Sequence, residues 1–197
     1  MKFFQQDALR ALNDHKVIAF PTETVYGLGI LYDDYEAYQY LNKIKERPED
    51  KPYTMMLFDI KEIIKYAYVN PKYQKIINRY MPGSLTILVK SKENVPNYVT
   101  HDTQIIGIRI PSNNEALDLL KYIQKPLLVP SANKSGQKPA VTSQEVEEIF
   151  GSDVWPIIPG ECKGGLPSTI VDLTGEEIKL IRKGPISLEE LNLLIDN

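Results

Sequence analysis

The tightest constraint on this chain is a set of short apolar runs. VIAF (17–20), YTMMLF (53–58), SLTILVK (84–90), GIRI (107–110), LLV (127–129), VWPII (154–158), STIVDL (168–173) and IKLI (178–181) are all of strand length, several of them closed by Pro or Gly. None approaches the roughly 18 residues needed to span a membrane. Between them lie helical patterns. Residues 4–14 place Phe4, Ala8, Leu9, Ala11 and Leu12 at helical spacing. The pattern at 35–46 ends at Arg47-Pro48, because the residue before a proline is pushed out of the helical region. Residues 60–67 and 71–80 follow, the second opening after Asn70-Pro71 as a cap and first-turn proline. Residues 113–123 put Ala116, Leu119, Leu120 and Ile123 on one side, and 143–150 and 187–195 complete the set. Strands and helices alternate irregularly, and three strands follow one another late in the chain. That order predicts an α/β or α+β fold on a mixed sheet rather than a regular doubly wound one. With no repeat, low-complexity tract or linker, the expectation is one domain over 1–197.

Bulk properties narrow the class. A chain of 197 residues that is 43% hydrophobic and 25% charged can bury a substantial core unaided. Its one cysteine, Cys162, can form no intrachain disulfide, which fits a reducing cytoplasm. The opening MKFFQQDALRALNDHK lacks a long apolar core, so no secretory leader and no membrane partner are expected. A net charge of −3 gives no global attraction for nucleic acid and leaves only local patches.

Four polar stretches sit at or just beyond the apolar or helical runs: PTETVYG (21–27), KIKERPEDK (43–51), PSANKSG (130–136) and PSTIVD (167–172). Loops at strand ends are where a rigid sheet carries its binding groups. Together the four supply hydroxyls, an amide and cations, the chemistry of holding phosphates and a small polar ligand. Lys45 and Arg47, with Lys51 beyond the proline, can grip a polyphosphate; a solvated helix end neutralised by Glu46, Glu49 and Asp50 explains them equally. Ser131, Asn133 and Ser135 alternate, which would aim them to one side of an extended segment, or they make an ordinary turn. Arg109 lies in an otherwise apolar strand and needs an anion, either a ligand's or a structural carboxylate. Ser168 and Thr169 follow a double-glycine loop, where Thr is routine in a strand. Arg182 follows a strand, where surface charge is common. Tyr32, Tyr35, Tyr38 and Tyr40 can stack on RNA bases or be buried with hydroxyls at the rim. His15 and His101 are too far apart, with one cysteine, for a structural zinc site. P-loop, dinucleotide and nucleophile-elbow motifs are absent from the sequence.

In this order, PTETVYGLG, KIKERPEDKP, PGSLTILVK, GIRIP, PSANKSG, STIVDL and IRKGP resemble the YrdC-like family of threonylcarbamoyl-AMP synthases over about residues 12 to 188. The family's marker pair, K-x-R then S-x-N, is matched by Lys45-x-Arg47 and Ser131-x-Asn133. The resemblance implies a twisted, mainly β, mixed sheet with a positively lined concave cavity. It implies synthesis of threonylcarbamoyl-AMP and pyrophosphate from L-threonine, bicarbonate or CO2, and ATP with Mg²⁺. A separate transferase complex then modifies tRNA beside the anticodon, and weak direct tRNA binding remains open. By the same resemblance Thr22, Tyr26, Arg109, Ser131 and Ser168 contact threonine or the carbamoyl group, with the glycines allowing close backbone approach. Lys45, Arg47, Lys51, Asn133 and Arg182 surround ATP, with Lys45 and Arg47 as the catalytic pair. Glu23 is a candidate base or a local ion-pair partner. Met56 stands where some members carry histidine, Lys51 where some carry asparagine. The chain resembles the short, single-domain branch, with 160–167 as the candidate lid. The competing readings are an RNA-binding module on the same fold, a paralogue without synthase activity, and a relative of the hydrogenase-maturation carbamoyltransferases, which are longer and carry metal-binding cysteines.

Overall fold

The computed structural model describes residues 2–47, 52–162 and 166–195. Its elements in chain order are α1 (Lys2–Asn13), β1 (Val17–Phe20), β2 (Gly27–Leu31), α2 (Tyr35–Lys45), β3 (Thr54–Met56), α3 (Ile63–Tyr66), β4 (Ala67–Tyr68), α4 (Gln74–Tyr80), β5 (Leu85–Ser91), α5 (Asn97–Thr100), β6 (Ile105–Arg109), α6 (Asn114–Ile123), β7 (Leu127–Leu128), α7 (Ser143–Phe150), β8 (Val154–Ile157), β9 (Thr169–Asp172), β10 (Lys179–Arg182) and α8 (Leu188–Leu193). The ten described strands form one sheet in the order β10-β9-β5-β6-β3-β7-β2-β1-β8, with β4 added alongside β5. The pairs β1/β8, β3/β6 and β5/β9 are parallel and the others antiparallel, so the sheet is mixed, as the element order predicts.

Burial explains why the strands read as continuous apolar runs. Every residue of β1 is buried. Val17 and Ala19 pack in a cluster with Ala37, Tyr38 and Leu41 of α2. Ile18 and Phe20 pack on the other face with Ala8, Ala11 and Leu12 of α1 and Ala116, Leu119 and Leu120 of α6. A strand covered on both faces has no polar side to show, so period-two alternation disappears. Helix starts are fixed by side chains: Asp34 and Asn113 accept from backbone N–H groups of α2 and α6, and Thr142 and Ser187 form capping boxes with Glu145 and Glu190. Each such cap contributes about 1 kcal/mol.

The second strand, β2, has no counterpart among the apolar runs of the sequence, and it begins at the last residue of the polar stretch 21–27. Its glycines serve packing. A Cβ on Gly29 would lie 2.8 Å from Phe20 Cε1, and one on Gly27 2.5 Å from Val129 Cγ1. Bulky neighbours across the sheet take the space, so the strand carries too few side chains to be recognised.

Gly184 has a stricter role. A Cβ there would sit 2.3 Å from the Thr169 backbone nitrogen and 2.7 Å from the Pro167 carbonyl oxygen. The 184–186 turn is strapped to β9 by Thr169, whose Oγ1 donates to Ile186 O and accepts from Ile186 N, both at 2.9 Å. Since the obstruction is backbone, it cannot turn aside as a side chain would. Gly184→Ala should therefore cost about 1–3 kcal/mol of stability, the range for overpacking. Denaturant unfolding checks this, and an unchanged midpoint would show that the turn gives way freely.

Candidate active site

Sheet register gathers the site. Met56 pairs with Arg109, Thr86 with Ile170, and Ile170 with Arg182. Thr86 and Arg109 lie one residue beyond the Ile87–Ile108 pair. Directly paired residues point to the same face of a sheet. One rung across β10, β9, β5, β6 and β3 thus presents Arg182, Ile170, Thr86, Arg109 and Met56 together. All five line a cavity of about 150 Å³, closed by Thr22, Thr24, Tyr26, Arg47, Tyr53, Thr54, Ser131 and Ser168, among others. That is room for roughly five waters at about 30 Å³ each, their share of liquid volume.

The 21–26 connection forms one wall and is held by its own side chains. Thr22 Oγ1 donates to Val25 O at 2.7 Å and lies 3.0 Å from Thr24 Oγ1. Thr24 Oγ1 accepts from Arg109 Nη2 at 3.0 Å. Since the Thr22 proton is committed to Val25, Thr24 donates to Thr22, and the hydroxyls form a one-way chain. Tyr26 has no exposed surface and donates its O–H to Ile158 O and Gly160 O at 3.0 and 2.7 Å. It walls the cavity with its ring, and burial raises its hydroxyl above the ordinary tyrosine range.

Arg109 is 5% exposed and meets a carboxylate within the chain. Its Nη2 donates to Glu23 Oε1 at 2.7 Å, while Glu23 Oε2 accepts from Ser112 N at 3.1 Å and Arg109 Nε donates to Gly83 O. Of the two roles open to Glu23 in the sequence, the local ion pair is present. Arg182 lies at the more open side. Its Nε and Nη2 both donate to Ser168 O, at 3.0 and 2.9 Å, and Nη2 also reaches Ser168 Oγ at 3.0 Å. Among the described residues no carboxylate pairs with it. Partial burial, then the charge on Arg109, hold its guanidinium below the usual range. Arg47 stacks 4.6 Å from the centre of the Tyr53 ring and donates to Pro52 O at 3.0 Å.

Two predicted residues sit behind the cavity wall. Lys45 is 1% exposed and donates to Ser131 O and Asn133 O, both at 2.6 Å, while its own carbonyl accepts from Ser135 N. Asn133 accepts from Ser131 Oγ at 2.5 Å and donates to Lys134 O and Gln137 O. The 131–137 stretch turns rather than extends, so Ser131 lines the cavity and Asn133 and Ser135 do not. K-x-R and S-x-N thus meet as one unit, with the lysine pinning the serine–asparagine loop and the arginine at the cavity. Lys51 lies outside the described residues, as do 163–165 of the loop read as a lid. Sequence reasoning passed over Thr86, a threonine in an apolar strand with nothing local to mark it. The tyrosine cluster is mixed, with Tyr38 buried and Tyr35, stacked on it, 54% exposed.

Burial, then the neighbouring Arg47 charge, pull the Lys45 ammonium down to about 7. An unfolded lysine holds its proton to about 10.4, so between these values the unfolded chain binds more protons and stability rises with pH. A neutral amine keeps two N–H donors, enough for both carbonyls. Melting temperature followed from about pH 7 to 10 should therefore climb in the wild type, and Lys45→Met should remove that part of the climb. Equal slopes would show that Lys45 titrates as an ordinary lysine.

A family model described as Sua5_yciO_yrdC, telomere recombination, matches residues 10–184. The threonylcarbamoyl-AMP synthase of Pyrococcus abyssi is 33% identical over 186 residues, which cover 93% of this chain and 55% of that protein. The enzyme of the same name from Escherichia coli K12 is 34% identical over 190 residues, covering 91% of this chain and 97% of that protein. The crystal structure of P. abyssi Sua5 complexed with L-threonine matches with a TM-score of 0.90 at 33% identity, covering 95% of this chain and 56% of that one. The chain thus spans about half the length of the P. abyssi protein and nearly all of the E. coli one. Likeness of this extent, on a site where K-x-R and S-x-N meet, places the chain in the Sua5/YciO/YrdC family.

Proposed function

We infer that this chain is an L-threonylcarbamoyladenylate synthase, a nucleotidyltransferase that converts L-threonine, bicarbonate or CO2, and ATP into threonylcarbamoyl-AMP and pyrophosphate. One observation carries the reading. Arg47, Arg109 and Arg182 line a single cavity to which the described residues contribute no carboxylate, with Glu23, paired to Arg109, outside the lining. Such a site favours an anion. The relatives named threonylcarbamoyl-AMP synthase supply the identity of the anions.

In this reading Arg109 faces the threonine carboxylate, with Thr22 and the Tyr26 ring as the adjoining wall. Ser131 and Ser168 lie at the threonine or carbamoyl end. Arg47 and Arg182 face the phosphates, Lys51 is assigned to ATP by the family resemblance alone, and Lys45 and Asn133 hold the 131–137 loop beneath the nucleotide. The deprotonated threonine amine attacks CO2 to form a carbamate. A carbamate oxygen then attacks the α-phosphorus, and the bond to the β-phosphate oxygen breaks to release pyrophosphate. Alignment and neutralisation of growing phosphate charge suffice, without a covalent nucleophile. In this reading Mg²⁺ accompanies ATP as the counter-ion of its phosphates. The ten strands of one sheet draw on residues 17 to 182, which supports a single domain over 1–197. The product passes to a separate transferase that modifies tRNA, and any direct tRNA contact is weak at net charge −3. Among the described residues no helix is long and apolar enough to cross a membrane.

Pyrophosphate release in bicarbonate buffer with ATP and Mg²⁺ tests the reading. Release should depend on L-threonine and be weak with serine or alanine. Threonine-independent behaviour in folded protein that still binds RNA would replace the synthase with a binding module. Arg47→Ala should lower turnover at least tenfold, or about 1.4 kcal/mol, the loss of a charge-assisted phosphate contact. Wild-type rates in that variant would remove Arg47 from the phosphate site.

A further inference from the structure

The hydroxyl protons of the cavity wall can be traced one by one. Thr22 gives its proton to Val25 O and Thr24 to Thr22. Tyr26 gives its proton to the carbonyls of Ile158 and Gly160, Ser131 to Asn133 Oδ1 and Tyr53 to Asn42 Oδ1. These five are satisfied within the chain. Thr54, partly exposed, has no hydroxyl partner among the described residues. The remaining pair is different. Thr86 and Ser168 are 1% and 2% exposed, both line the cavity, and their oxygens lie 2.9 Å apart. Arg182 Nη2 donates into Ser168 Oγ at 3.0 Å. Two hydroxyls carry two protons, and the bond between them uses one. The other has no acceptor among the described residues.

A valine in the place of Thr86 would suit β5 better, since the strand is LTILVKS and the Thr86 side chain is buried. A buried hydroxyl is costly unless it is bonded. The geometry gives it a use. If Thr86 donates to Ser168, then Ser168 has both acceptor directions filled, by Thr86 and Arg182, and its O–H has one direction left. If Ser168 donates instead, the spare O–H is on Thr86 itself. In both cases one donor remains beside the Arg182 guanidinium, on the rung that carries Arg109. Donation from a cation into the pair makes that last O–H a stronger donor.

We propose that Thr86 is a positioning residue that fixes this spare O–H toward an anionic carboxylate-type oxygen bound between Arg109 and Arg182. Two sources have that chemistry in the proposed reaction, on which the assignment rests: the amino acid's carboxylate, and the oxygen of bicarbonate or of the carbamate made from it. Thr86→Val keeps the shape and removes the hydroxyl; Thr86→Ser keeps the hydroxyl. The kinetic constants for L-threonine and for bicarbonate are measured separately in both variants. In Thr86→Val the KM for one of the two anions should rise about tenfold, as expected for a hydrogen bond to a charged group, with the other changed by less than about twofold. Thr86→Ser should restore it. A shift confined to L-threonine assigns the oxygen to the carboxylate, and a shift confined to bicarbonate assigns it to the carbamoyl end. Unchanged constants in Thr86→Val, a loss that Thr86→Ser does not recover, or a drop in melting temperature alone would overturn the role. Binding of L-threonine and of bicarbonate without ATP, followed by calorimetry, separates this inference from the reaction. If the wild type releases no pyrophosphate yet Thr86→Val still binds one anion about tenfold more weakly, the synthase reading fails and the Thr86 role stands. Wild-type protein that binds neither anion sinks the Thr86 role.

Discussion

Arg109 and Arg182 reach one cavity from β6 and β10, and the charge on the first makes the second harder to keep ionised. Like charges drawn together in a partly desolvated space repel more strongly than in water. The protein meets that cost with fixed dipoles and a single carboxylate. Glu23 covers one side of Arg109, and the Gly83 and Ser168 carbonyls cap the two guanidiniums. Much of the surrounding architecture keeps these partners in register: the five-strand rung, the hydroxyl chain of 22–25, and the turn strapped to Thr169. An incoming anion completes a neutralisation that the fold leaves unfinished.

Polar residues at the site divide into two kinds. Some face the cavity, among them Arg47, Arg109, Arg182, Thr86 and Ser168. Others are bound to one another behind it. Lys45 is the clearest example, a buried ammonium that satisfies two carbonyls of a loop some ninety residues later, at separations of 86 and 88. Removing one partner from such a buried set leaves unpaired groups, which costs more than the bond itself contributes. A motif can therefore be essential without each of its members touching the ligand. Preorganisation of this sort places donors before the substrate arrives, so that little rearrangement accompanies the chemistry.

Much of the fold is legible in the sequence because burial on both faces writes strands as unbroken apolar runs. VIAF coincides with β1, and SQEVEEIF with α7. Helix 113–123 is legible from its stripe, with Asn113 as the cap rather than the first helical residue. β2 is hidden because Phe20 and Val129 occupy the room its glycines leave. Short β4 and α5 fall below the length at which periodicity can register. At the site, ordered motifs locate the loops, but partners are set by tertiary geometry. That Arg109 meets Glu23, or that Thr86 lies against Ser168, depends on strands joined only in space. Nothing local distinguishes Thr86 from any other threonine with a taste for strands.

The two walls of the cavity come from remote parts of the chain. Thr22 to Gly27 form one, and Ser168 and Arg182 contribute to the other, with β9 entering beside β5 across a separation of 82 residues between Thr86 and Ser168. Closing such a span is slow, and contacts of this range dominate the time a domain takes to fold. On a ribosome the amino-terminal strands emerge first. They carry Arg109 and its carboxylate but neither Ser168 nor Arg182. Once Arg109 is made it can pair with Glu23, long before Ser168 and Arg182 exist. Arg182 joins Arg47 and Arg109 at the cavity only when β10 takes the sheet edge.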